Sequence, residues 1–363
     1  MEFVLTELVE QVMTARAAQR PVYIRGGGTK DFYGEPGCLR NATGHSVLDM
    51  SAYHGVVNYQ PSELVITVRA GTPLSEVERL LDEQGQMLAF EPPRFGAGST
   101  LGGCVAAGLS GPRRASAGSL RDFVLGAKLL DSSGSVLEFG GEVMKNVAGY
   151  DMSRLLAGSM GVFGALLEVS VKVMPRPLVE RTQRLSLDEG SALALFNQWR
   201  GKPLPVSATA WLPDDGEGSL WVRLSGSAPA VAAGARVIGG AVVDPDEADR
   251  FWDSLRDHTH PLLQACPLWR LAVPPQAGPL GLGATLVEWG GGQRWLAQAP
   301  DARELRERVG RIGGHATLFR QPADNDIPVF HPPAAGLMAI SRRLKHALDP
   351  VGIFNPKRLF PEF

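Results

Sequence analysis

Glycine in this chain is clustered where backbone must come close to something. Three short segments concentrate it: Arg25-Gly26-Gly27-Gly28-Thr29-Lys30, then Gly96-Ala97-Gly98-Ser99-Thr100-Leu101-Gly102-Gly103, and Gly158-Ser159-Met160-Gly161-Val162-Phe163-Gly164. The chain carries 43 glycines in 363 residues, against an average of about 7%. Such an excess asks for backbone at positive φ or packed closely against a neighbour. A chain without Cβ atoms can wrap tightly enough to aim several N–H groups inward, which is what a diphosphate requires. One cluster alone would suit an ordinary surface turn, whereas three in succession constrain the fold.

The clusters depart from the common nucleotide templates. No G-x-x-x-x-G-K-[ST] occurs, which excludes the phosphate loop of nucleotide hydrolases. Gly96-x-Gly98-x-x-Leu101 places Leu where the Rossmann fingerprint needs Gly or Ala, and the strand-like run 64–70 does not lead into it. The length suits two domains, or one with a large insertion. With 36 Lys and Arg against 38 Asp and Glu, the net charge of −2 offers no footprint for nucleic acid. Hydrophobic residues at 44% and charged residues at 20% argue against disorder and against a membrane span. Cys38, Cys104 and Cys266 are too few and too scattered for a disulfide framework or an iron–sulfur cluster. The first sixteen residues read as an amphipathic helix rather than a signal peptide, so a cytoplasmic location is expected.

Along the chain, 21–25 and 46–50 read as short strands and 64–70 as a strand between Pro61 and Gly71. Thr72 is expected to cap a helix opening at Pro73, with Leu74, Val77, Leu80 and Leu81 on one face and Gly85 at its end. Runs 124–131 and 136–139 form a hairpin through Ser132-Ser133-Gly134. The strand 165–174 stops at Pro175-Arg176-Pro177, a boundary signal. These features predict an α+β fold with a first domain over 1–177, a second α+β domain over 178–327, and a segment 328–363 that returns to the first. The tail segment contains a helix over 335–348.

Five ordered motifs carry a resemblance. They are Pro21-Val-Tyr-Ile-Arg25-Gly-Gly-Gly-Thr29, Gly98-Ser-Thr-Leu-Gly-Gly103, Gly118-Ser119-Leu-Arg121-Asp122, Lys145-Asn146-Val-Ala-Gly149-Tyr150-Asp151 and Gly158-Ser-Met-Gly161-Val-Phe-Gly164. Together they resemble the FAD-binding domain of the vanillyl-alcohol oxidase type, the PCMH-type fold, whose FAD domain consists of two α+β subdomains. Gly111-Pro112-Arg113-Arg114, Gly314-His315-Ala316-Thr317-Leu318-Phe319-Arg320 and Phe354-Asn355-Pro356 further resemble the smaller flavin-binding subunits, subunits E, of bacterial glycolate oxidases.

What the resemblance implies is specific. FAD would be held by Arg25, Gly26, Gly27, Gly28, Thr29 and Lys30 on one side and by Gly98, Ser99, Thr100, Gly102 and Gly103 on the other. Gly118, Ser119, Gly158, Gly161, Val162, Gly164 and Asn355 complete the set. For Arg25 and Lys30 a solvated surface charge is an equal alternative, and Arg121 and Asp122 read as scaffold. Relatives with covalent flavin use a His or Cys near the first loop; this chain has neither there, so attachment is expected to be non-covalent.

Relatives that oxidise 2-hydroxy acids, including the larger subunit of the same complex, carry a Gly-Asp-Gly-Asn-x-His motif that is missing here. His258 and His260 alternate as ligands could but lack a third, and no metal is expected. His315, His331 and Arg320 are the candidates for proton transfer and carboxylate binding, with structural roles as the alternative. The expected function is FAD-dependent oxidation of glycolate or another small 2-hydroxy acid, in a complex with the larger FAD-binding subunit and an iron–sulfur subunit that passes electrons to quinone, touching the inner face of the membrane only through that complex. A non-catalytic flavin relay, or a stand-alone D-lactate or alditol oxidase, is the alternative.

Overall fold

The computed structural model describes residues 1–35, 46–141, 151–214, 216–283 and 285–363. Helix α1 (Glu2–Ala17) opens the chain, followed by β1 (Val22–Arg25) and β2 (Ser46–Asp49), which pair in parallel. Leu8, Val12 and Ala15 of α1 pack on Val22 and Leu48 of this small sheet. Next come β3 (Val56–Gln60), β4 (Val65–Arg69), α2 (Leu74–Asp82), the two-residue β5 (Gln86–Met87) and α3 (Leu101–Ala107). Short turns α4 (Arg114–Ala117) and α5 (Leu120–Phe123) lead into β6 (Val124–Leu130), β7 (Val136–Gly140), α6 (Met152–Leu156), β8 (Ala165–Lys172) and β9 (Met174–Pro175).

A five-stranded antiparallel sheet, in the order β3-β4-β8-β6-β7, is the frame of the first half. The β-branched run of β4 suits a pleated surface, and its Ile66 and Val68 meet Leu74, Val77 and Leu81 of α2 and Leu101 and Val105 of α3. The helix after β4 starts one residue later than the sequence suggests. Pro73 holds the N-cap position, and the Thr72 hydroxyl donates instead to the carbonyls of Arg69 and Gly55. Proline has no N–H to lose there, so Thr72 is released to tie two loops together.

The second half is one eight-stranded sheet in the order β13-β10-β12-β11-β15-β16-β14-β17, with every measured pairing antiparallel. Its elements in chain order are β10 (Val179–Ser186), α7 (Glu189–Arg200), β11 (Val206–Leu212), β12 (Ser219–Gly226), α8 (Ala228–Ile238), β13 (Ala241–Val242), α9 (Pro245–Arg256), β14 (Leu268–Ala272), β15 (Thr285–Glu288), β16 (Gln293–Leu296), α10 (Ala302–Arg311) and β17 (His315–Arg320). One face is covered by α7, α8 and α10. The other turns Ala208, Ala210, Leu286, Trp295 and Phe319 toward Tyr33, Ala107, Leu109 and Met160 of the first half.

Ion pairs reinforce this joint. Arg113 meets Glu91 at 3.3 Å and Glu180 at 2.6 Å, while Arg223 reaches Glu91 at 2.7 Å. Burial pushes the Glu180 carboxyl up, but attraction to Arg113 and Arg223 together with hydrogen bonds from Arg113 and Ser225 holds it below its usual range.

The tail returns through α11 (Ala335–Leu348) to the first half. Phe354 bridges β1 in parallel, and Asn355 donates its N–H to the Val22 carbonyl at 3.0 Å. The latch is Lys345, whose buried ammonium donates to Asp349 at 2.7 Å, to the Val162 carbonyl at 2.6 Å and to the Phe354 carbonyl at 2.9 Å. Asp349 in turn accepts the N–H groups of Gly352, Ile353 and Phe354. Removing one partner of such a pair strands the other charge in the core. We therefore expect Lys345→Met to lower unfolding stability by about 3–5 kcal/mol, read as a shift of the denaturant midpoint; an unchanged midpoint would remove the latch from the account.

Candidate functional site

A cleft of about 770 Å³, open at its mouth, runs along the end of β1 between the loops after β1 and before α3. Its lining includes residues 25–30, Thr100, Gly102, Gly103, Met160, Gly161, Gly164 and Asn355. The two loops touch backbone to backbone: a Cβ on Gly27 would fall 1.6 Å from the Gly98 carbonyl oxygen, and one on Gly26 would fall 2.6 Å from the Thr100 hydroxyl. No side chain fits at either position.

Among the described residues, no protein acceptor takes the N–H of Gly26, Gly27, Gly28 or Thr29. Backbone donors left in this way beside a concave surface form a cradle for an anion. The second loop is used differently. Gly102 donates to the Ala70 carbonyl at 2.9 Å and Gly103 to the Thr100 hydroxyl at 3.2 Å, so that loop is stitched to its own scaffold. Gly102 is glycine for packing, since a Cβ there would lie 2.5 Å from the Ala70 Cβ.

The charged residues of the first loop are engaged inside the chain. Arg25 pairs with Asp31 at 2.7 Å. The Lys30 ammonium donates to the Ser99 hydroxyl at 2.8 Å and so ties the two loops together. Asn355, in a left-handed conformation with φ 39°, accepts the Ile24 N–H at 2.8 Å and donates to the Met160 carbonyl at 2.7 Å, welding β1 to the third glycine segment. Gly158, Gly161 and Gly164 all have positive φ, the reason for their spacing. Gly158 packs on Gly108, and Val162 lies in the core beneath the cleft. Gly118 and Ser119 are not among the cleft-lining residues; Ser119 caps α5 in a reciprocal box with Asp122. The segment 145–150 and Cys38 lie outside the described residues. Arg358, which also lines the cleft, gave no signal in the sequence. It donates to the carbonyls of Asp31 and Glu35, folding the first loop back on itself.

The three candidates from the second half are not gathered at this cleft. His315 starts β17, with the His331 ring centroid 6.5 Å from its own, and His331 Nδ1 accepts the Ala316 N–H. Desolvation lowers the pKa of both, and the nearby cations Arg270 and Arg114 lower that of His315 further. Arg320 sits at the far end of the same strand, donating to the Leu263 carbonyl and lying 4.6 Å over the Phe32 ring. Between them stands an aromatic cluster of Phe32, Phe95, Trp295 and Phe319 around His258. Burial, with Arg320 and Arg270 nearby, pushes the His258 imidazole down to about 3, so it is neutral at physiological pH. Glu288, buried on the inner face of the sheet, accepts from Trp295 and Gln293, and desolvation raises it to about 7. Among the described residues no group of three or more His, Cys, Asp or Glu is placed to hold a metal ion.

Residues 5–140 match the FAD binding domain family. The chain is 42% identical over 357 residues to glycolate oxidase subunit GlcE of Escherichia coli K12, covering 98% of this chain and 97% of that one. The chain belongs to the GlcE family. Glycolate oxidase subunit GlcD of Bacillus subtilis is 29% identical over 178 residues, and covers 49% of this chain and 37% of its own length. Alkyldihydroxyacetonephosphate synthase superimposes with a TM-score of 0.69 at 16% identity, over 98% of this chain and 76% of that one, a likeness of fold. GlcE-family membership makes the chain an FAD-binding member of the PCMH-type oxidoreductases, and the α+β architecture agrees with that superfamily.

The cleft residues fit FAD: two facing loops stripped of Cβ atoms, a run of uncommitted amides, and apolar Met50, Ala70, Ala106 and Ala107 along the wall. Gly102 and Gly103 separate fold from binding. A Cβ on Gly103 would meet only the Thr100 hydroxyl, at 3.1 Å. We expect Gly103→Val to fold with an apoprotein melting point near that of the wild type but to lose FAD, and with it the stabilisation of about 4 kcal/mol that a ligand gives at a thousandfold its Kd. Gly102→Val should melt lower even without FAD. Wild-type flavin content in Gly103→Val would contradict this.

Proposed function

We propose that this chain is the smaller flavin-bearing subunit of a 2-hydroxy-acid oxidase complex, holding non-covalent FAD and working with a larger FAD-binding subunit and an iron–sulfur subunit in the oxidation of glycolate to glyoxylate. The observation that carries it is the loop pair built on Gly27 and Gly98, whose backbone contact leaves no room for a side chain. In this reading residues 1–177 hold the cofactor, 178–327 form the cap, and 328–363 brace the cofactor site from behind. Electrons go on to quinone, and any membrane contact is peripheral; among the described residues no helix is long and apolar enough to cross a membrane.

When bound, FAD supplies a two-electron acceptor for the hydride on the substrate's α-carbon. The chain's own residues bind and orient it. The amides of Gly26, Gly27, Gly28 and Thr29 hold the diphosphate, assisted by Gly98, Ser99, Thr100 and the third glycine segment. Lys30 and Asn355 keep the loops in register. Phe32 and Phe95 keep water from the Lys30 end of the cleft, where the Lys30 ammonium lies 5.6 Å from the Phe95 ring centroid. Neither His315 nor His331 lines this cleft, and His331 Nδ1 already accepts the Ala316 N–H, so no base for the hydroxyl proton is gathered at the cofactor.

One observation favours a second reading, in which this flavin relays electrons and another subunit turns over the acid. Arg320, the candidate for holding the carboxylate, donates its Nε–H to the Leu263 carbonyl, lies over the Phe32 ring and stands at the opposite end of β17 from His315, away from the cofactor cleft. Proximity and orientation supply much of an enzyme's rate, so dispersed groups imply a slow reaction. Anaerobic mixing of the isolated, FAD-loaded chain with glycolate or D-lactate decides between them. We expect slow flavin reduction or none, with activity toward an artificial acceptor appearing on co-expression with the other two subunits. Stoichiometric bleaching at a rate matching that of the complex would instead make this chain self-sufficient.

A further inference from the structure

A second cleft opens between α4 of the first half and the ends of β11, β14 and β17, and it shares no lining residue with the first. It holds about 1530 Å³ of space out to its mouth. Its charged lining has one sign. Arg114, Arg200 and Lys202 face it together with His315, and among the described residues no Asp or Glu lines it. Flat apolar groups form the walls: Phe196, Trp199, Trp289, Pro274 and Pro275.

The cations are held open rather than neutralised. Arg114 lies 4.5 Å over the Trp289 ring and makes no ion pair among the described residues. Burial and the positive charge of Arg270 both work against its protonated form, and Asp122 works for it without forming an ion pair among the described residues. Arg200 uses one donor on the Gly290 carbonyl at 3.1 Å, which fixes its guanidinium at the rim and leaves its other N–H groups uncommitted. Cations gathered in a concave apolar site without counter-ions raise the local concentration of anions and bind them more strongly than exposed cations do. The Arg114–Trp289 stack pre-orients a planar fork that matches a carboxylate.

We propose that this cleft is a binding site for an organic carboxylate that carries a flat, apolar group, with Arg114 engaging the carboxylate and Trp199, Trp289 and the two prolines enclosing the flat part. A two-carbon hydroxy acid alone is too small to meet both the cations and the aromatic walls of such a space. The site does not depend on the redox reading, because it requires binding and no turnover.

The test is direct titration of the FAD-loaded full chain with 3-phenyllactate, followed by tryptophan fluorescence and by calorimetry, with 2-phenylethanol and glycolate as controls. Saturable binding of phenyllactate is expected, and 2-phenylethanol, which lacks the charge, should bind at least about tenfold more weakly, as should glycolate, which lacks the ring. Arg114→Gln should weaken phenyllactate by about tenfold or more at an unchanged melting point. Lys202→Gln, an exposed position safe for folding, should weaken it a few-fold and keeps the test valid if Arg114→Gln does not fold. No saturable binding at millimolar phenyllactate, equal binding of 2-phenylethanol, equal binding of glycolate, or full affinity in both variants would each overturn the assignment.

Discussion

The contact between Gly27 and the Gly98 carbonyl sets the terms for the rest of the first half. Two loops from different parts of the chain meet with no side chain between them. Such closeness has to be imposed, because loops left to themselves keep their entropy. The imposition comes from three directions: Lys30 reaches Ser99, Asn355 bonds to both β1 and the Met160 turn, and Arg358 fastens the carbonyls of the first loop. Behind these stands the buried Lys345–Asp349 pair, which holds the tail that delivers Asn355 and Arg358. The outcome is a row of amides that, among the described residues, are committed to no protein acceptor, a property suited to a diphosphate.

The joint with the second half is built from two kinds of interaction in separate places. The ion pairs of Arg113 and Arg223 with Glu91 and Glu180 lock α4 and its approach to β10 and β12. The aromatic cluster around His258 fills the space beside the Lys30 end of the cofactor cleft. This filled wall contrasts with the open, cation-lined cleft next to His315. The two clefts share no lining residue, and the first is built from the first half and the tail alone.

Much of the first half was legible because its signals are local. Glycines at positive φ fall in the clusters, the β-branched run 64–70 marked β4, the strand expected at 165–174 became β8, and the helix expected over 335–348 is kept to the residue. Where local reading erred, long-range contact was the cause. Thr72 looked like a cap but bonds to a loop seventeen residues earlier. Gly102 lines the cleft as the sequence suggested, but its need for glycine also comes from packing on Ala70, which the sequence does not show. Arg358 acts across the whole chain and leaves no pattern in sequence, and the i,i+4 spacing of Lys345 and Asp349 does not reveal the reach of Lys345 to the Val162 carbonyl. The eight-stranded sheet was only partly visible, because strands such as β11 and β12 are buried on both faces and lose the alternation that marks a one-sided sheet. Likewise His315 and Arg320 look adjacent in sequence, while a strand rising by roughly 3.3 Å per residue carries them to opposite ends.

Amide hydrogen exchange of the apoprotein before and after adding FAD tests the central claim most directly. The account predicts that the amides of Gly26, Gly27, Gly28 and Thr29 exchange quickly without FAD and become strongly protected with it, while those of Gly102 and Gly103, already bonded within the fold, change little. Protection that left residues 26–29 unchanged, or that appeared first at Gly102 and Gly103, would contradict it.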